Sequence, residues 1–200
     1  MADVFQKILR QGKSEGVTKD PMLARDWFRD RATQVKSVNE KSVMNNKART
    51  YNKMTKTDVG RMYMFFYEPK HKETLPYYDR FPLIIPIGLT PNGFMGLNLH
   101  YLAPALRARL FDALYDLERD DKIRESKKLT IKYSMLNSAA KFRYFKPCVK
   151  QYLTGHVRSR FLYIPSEEWD IALFLPTERF TKSAKRNVWK DSSKKILNAS

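Results

Sequence analysis

The 200-residue chain carries 38 Lys and Arg against 21 Asp and Glu, a formal charge of +17, and 42% of its residues are apolar. That apolar share fills a real core and excludes a disordered chain, while the charge requires a surface that attracts nucleic acid, anionic membrane or acidic protein faces. The single cysteine, Cys148, excludes an internal disulfide and a multi-cysteine zinc site, and no run reaches the ~18 apolar residues of a membrane span, so a soluble, non-secreted protein is expected.

In chain order, "VFQKILRQG" spaces Val4, Phe5, Ile8 and Leu9 as one helical face and predicts a short helix ending near Gly12. Asp20 as a cap and Pro21 at the first helical position start a second helix, which runs to about Val35 with Leu23, Ala24, Trp27 and Phe28 on its apolar side. Residues 36–59 then lose all periodicity. Lys36 to Thr57 holds four Asn, five Lys, one Arg and a single acid, which reads as a basic extended arm or linker that orders against a partner, or as a solvated loop.

From Gly60 the period shortens to two. "GRMYMFFYEP" predicts a strand covered on both faces, "FPLIIPIGL" an edge or bent strand between Pro82 and Pro86, and Pro91-Asn92-Gly93 a turn into a third strand, together an antiparallel meander. Pro104 opens the clearest helix, 104–118, with Leu106, Leu110, Ala113, Leu114 and Leu117 on one stripe. "KKLTIKYSMLNSAAKF" is undecided between strand and helix. "FKPCVKQYLTG" fits a helix from Pro147 to Gly155, "SRFLYIP" and "DIALFLP" fit short strands with a capped turn at Ser166 between them, and residues 181–200 fit a basic helix or tail. The fold class is therefore α+β: a small bent antiparallel sheet or partial β-barrel in a 60–180 body, packed with helices from 1–35, plus the arm.

Few residues in the chain are placed for chemistry. His71, His100 and His156 lie in different elements without metal-ligand spacing, and no phosphate-cradling glycine loop or nucleophile elbow is present. Asp112, Asp116, Glu118, Asp120 and Asp121 lie on or just after one helix, which suits a solvated face better than a two-metal nuclease centre. No catalytic residue, metal or cofactor is expected. Basic residues interleaved with aromatic ones are the remaining signal. Residues 61–121 carry 7 basic and 8 acidic side chains, whereas 1–60 carry 13 and 7 and 122–160 carry 11 and 1, so a near-neutral centre is flanked by basic sequence. The candidate partner- or nucleic-acid-binding residues are Lys36, Lys41, Lys47, Arg49 and Lys53 in the arm, and Lys141, Arg143, Tyr144, Lys146, Lys150, Arg158 and Arg160 further on. Their rings and cations make either a platform for stacked bases and phosphates or the rim of a core over which long cations lie.

The stretches "ARDWFRDRA", "GRMYMFFYEPKHKETLPYYDRFPLIIPI", "NGFMGLNLHYLAPALRARLFDALYDL", "KFRYFKPCVKQYL" and "FLYIPSEEWDIALFLPTERF" resemble a group of small proteins of contractile-tailed, T-even-like bacteriophages and cyanophages. The blocks "YYDRFPL" and "GLNLHYLAP" are its most specific parts. The resemblance implies a non-enzymatic structural or assembly component of the virion, at the tail, baseplate or neck, made in the host cytoplasm. Its expected partners are other virion proteins in repeated, symmetric copies, with no small-molecule substrate. The alternative is a DNA-binding protein that protects or handles phage genome ends.

Overall fold

A computed structural model describes residues 3–17, 21–118 and 145–198. Helix α1 (Val4–Ser14) starts where the Asp3 carboxylate accepts from the Gln6 amide at 2.9 Å. It runs past Gly12, which is used for packing: a Cβ there would lie 3.0 Å from Phe28 Cε1. The left-handed stop comes instead at Gly16, φ 76°. Helix α2 (Pro21–Thr33) buries Ala24, Phe28 and Ala32, four residues apart, as its core stripe.

Residues 36–59 are not a free arm in this chain. They form helix α3 (Glu40–Met44), strand β1 (Thr50–Tyr51) and two single 3₁₀ turns, anchored by buried Val38, Val43 and Met54. Three apolar residues spread over such a span escape a periodicity search, yet each fills a gap in the body.

The main sheet has six strands in the order β1-β7-β2-β4-β5-β6, every pair antiparallel. Its members after β1 are β2 (Met62–Met64), β4 (Leu83–Thr90), β5 (Gly93–Asn98), β6 (Val149–Leu153) and β7 (Phe161–Ile164); β3 (Tyr78–Asp79) pairs separately with β8 (Phe180–Thr181). The expected meander is β2-β4-β5. β4 is central and bent, because the register shifts between Pro86 and Gly88, where the proline has no amide to give the ladder. With β1 and β6 as open edges the sheet does not close into a barrel, and the fold is α+β.

Alternation sorts the strands onto two cores. Met62, Met64, Leu83, Ile85, Leu97, Leu162 and Ile164 face the helices, whereas Tyr63, Phe65, Phe94, Tyr152 and Phe161 make an aromatic cluster on the other side, closed by Met54. Phe65 lies at its centre, 5.0 Å from Phe161 and 5.4 Å from Tyr152 by ring centroids.

Two elements differ from expectation. Val149–Leu153 is an edge strand, not a helix, with Pro147 in the 3₁₀ turn that leads into it. "DIALFLP" forms helix α5 (Trp169–Phe174), not a strand, because Ile171, Ala172 and Leu173 are all enclosed between α2 and helix α4 (Pro104–Glu118). Arg29 pins the three helices together, donating to Asp170 at 2.6 Å and Asp112 at 2.8 Å. The C-terminal basic segment is helix α6 (Lys185–Leu197), seated by Val188, Ser192 and Ile196. The undecided 127–142 stretch lies outside the described residues, and among those described no helix is long and apolar enough to cross a membrane.

Candidate nucleic-acid interface

The proposed contact residues separate into three groups. Lys36, Lys53 and Lys146 are exposed, and Lys41 and Lys47 line one polar groove of about 700 Å³ with Asp3, Gln6, Asn39, Asn45 and Asn46. Arg49 and Arg158, by contrast, are engaged within the chain. Arg49 meets Glu168 at 2.7 Å, where that carboxylate is fully enclosed and also accepts from Gln6, so its duty is to neutralise a buried charge. Arg158 pairs with Glu68 at 3.2 Å, and Arg160 donates to Asn52 at 2.8 Å while staying exposed. Lys141, Arg143 and Tyr144 lie outside the described residues, as do the side chains of Asp116, Glu118, Asp120 and Asp121.

Lys150 is the exception. β6 points it to the aromatic side of the sheet, where its Nζ stands 4.2 Å from the centre of the Tyr101 ring. No carboxylate pairs with it among the described residues. Around it Tyr67, Tyr77, Tyr78, Tyr101 and Tyr152 wall a half-open pocket of about 240 Å³, with Lys195 of α6 beside it. Burial pulls the Lys150 ammonium from an ordinary 10.5 down to about 8, and the Lys195 charge acts the same way. Burial also pushes the Tyr101 and Tyr152 phenols up, so both remain neutral hydroxyls. Lys150 was legible in sequence, but its companions were not. Tyr77, Tyr101 and Lys195 come from separate parts of the chain, and only the topology unites them.

Beneath this pocket lies a closed polar network, which explains the two most specific sequence blocks. Asp79 of "YYDRFPL" takes His100 Nδ1 at 2.7 Å and Asn98 Nδ2 at 3.1 Å on one oxygen, both from "GLNLHYLAP", and the Phe81 amide at 3.1 Å on the other. Thr177 occupies the remaining His100 nitrogen at 3.1 Å. With its ring wholly enclosed and both nitrogens partnered, His100 holds the pocket floor and reaches no solute. Asp112 is likewise spent on Arg25 and Arg29, and no cluster of described residues has the composition to hold a metal ion.

The model of the family described as Phage T4 terminal DNA protecting protein matches residues 3–199. The chain belongs to that family. No curated protein and no solved structure matches it. The kinship with T-even-like phages is thereby sustained, but the expected structural role at tail, baseplate or neck is overturned: the family is described by protection of DNA termini, which corresponds to the genome-end alternative. Excess cations and rings suit a protein interface and a nucleic-acid interface equally, so the residues gave nothing to correct the role that the resemblance implied.

Proposed function

We propose that this protein binds the ends of phage DNA and protects them by occupancy, without catalysing a reaction. The family match over nearly the whole chain carries this reading. It is supported by the placement of charge: Lys36, Lys41, Lys47, Lys53, Lys56 and Lys146 stand exposed and without an acidic partner among the described residues. Cations that the fold does not neutralise remain available to phosphates, where each contact releases condensed counterions.

Gel shifts on linear duplex DNA over a range of salt test the reading. Binding at ~100 mM salt is expected, with log K falling against log salt by about 0.9 for each phosphate contacted. Absence of binding to linear DNA at that ionic strength contradicts it.

A further inference from the structure

The geometry points to the tyrosine-walled pocket around Lys150 as the site that receives one unpaired terminal nucleotide, its base against the half-exposed Tyr77 and Tyr78 and its phosphate at Lys150 and Lys195. This deepens the DNA-end reading and rests on it.

Three observations converge. First, five Tyr rings wall the pocket and, among the described residues, the ammonium groups lining it are Lys150 and Lys195, a pairing of ring and cation that suits a nucleobase joined to a phosphate. Asp79, the one carboxylate among the described residues that lines it, has both oxygens already occupied by His100, Asn98 and the Phe81 amide.

Second, Lys150 is a cation held among rings with no counter-charge among the described residues, a position that weakens the free fold and that a bound phosphate relieves. Cations that serve the fold are instead paired, as Arg49 is with Glu168 and Arg107 with Glu178.

Third, at about 240 Å³ the pocket is smaller than the ~300–1,000 Å³ of ordinary ligand sites. It has room for one base and none for a duplex. Taking a base from inside a helix requires unpairing and unstacking, whereas a frayed or overhanging end offers one at little cost. The pocket's size therefore converts general affinity for phosphates into selection for ends.

The test uses the full-length protein and a linear duplex with a one-nucleotide overhang carrying 5-iododeoxyuridine either at the terminus or internally. Irradiation is expected to cross-link the terminal probe to Tyr67, Tyr77, Tyr78, Tyr101 or Tyr152, and the internal probe to none of them. Lys150→Met and Lys195→Gln are each expected to lower the preference for open linear DNA over a covalently closed dumbbell by about tenfold, about 1.4 kcal/mol. Lys150→Met should also melt no lower than the unaltered protein, an outcome that a merely structural lysine would reverse. Terminal cross-links outside the pocket, or an end preference unchanged in both variants while linear DNA still binds, overturns the pocket and leaves the DNA reading standing. Failure of the unaltered protein to bind linear DNA overturns both.

Discussion

Arg107→Met is expected to lower the unfolding free energy by about 3–5 kcal/mol, a large share of the ~5–15 kcal/mol that holds a domain together. Arg107 projects from α4 into the interior and is the largest of the fully enclosed side chains. It donates to the Leu102 and Leu173 carbonyls at 2.8 Å each, to the His100 carbonyl at 3.4 Å and to Glu178 at 2.7 Å, with the Trp189 ring over its guanidinium. Methionine fills much of the volume but strips the Leu102 and Leu173 carbonyls of this donor, leaves the His100 carbonyl to the Trp189 indole at 2.9 Å, and leaves Glu178, among the described residues, with Lys185, 3.3 Å away. Urea unfolding measures the loss; a change below ~1 kcal/mol contradicts the assignment. The same pair sets an acid limit. Burial by itself would raise the Glu178 carboxyl, but the charge and hydrogen bond of Arg107, with His100 and Lys185 acting in the same direction, together outweigh it and hold the group at about 2, below its ordinary 4.5. A depressed folded value means that the contribution is complete above pH 4.5 and disappears as pH falls toward 2, so Glu178→Gln should flatten that part of the stability profile.

Gly93→Ala is expected to open the β5-β6 edge and the pocket together. Gly93 closes the two-residue turn from β4 and pairs with Leu153 of β6. A Cβ built there falls 1.8 Å from the Tyr152 carbonyl oxygen and 2.9 Å from its carbon, both backbone atoms that cannot rotate aside. The only relief is displacement of β6, which carries Lys150 and Tyr152. A destabilisation of about 1–3 kcal/mol or more is expected, with loss of amide protection along β6 in hydrogen exchange. Gly155→Ala is the control. Its Cβ meets nothing within 4 Å, so a change within about 0.5 kcal/mol is expected. Equal effects at the two positions contradict the steric argument.

How much of this could be read from residues alone varies with the kind of signal. Helices α1, α2 and α4 declare themselves because each buries one stripe, and β2, β4 and β5 because each alternates between two cores. The run "DIALFLP" was misread for the complementary reason: α5 is enclosed on every side, and a fully apolar segment has no period that separates helix from strand. β6 was hidden by Lys150, a cation on the buried face of an otherwise alternating strand, and by Pro147, which imitated a helix start. Asp79, Asn98, His100 and Thr177 form one network from three distant segments, and no local pattern announces it. The candidate site follows the same rule. Lys150 was visible as part of a basic-aromatic stretch, whereas Tyr77, Tyr101 and Lys195 acquire their meaning only from the sheet order that gathers them.

Digestion of linear duplexes by an end-dependent exonuclease, with protein titrated against DNA of several lengths, tests the central claim most directly. Occupancy of ends requires that protection saturate at a fixed number of proteins per DNA end, whatever the length between, and that a nick-dependent nuclease acting internally be unaffected. Protection that scales with the number of base pairs, or digestion that proceeds unhindered at saturating protein, contradicts it.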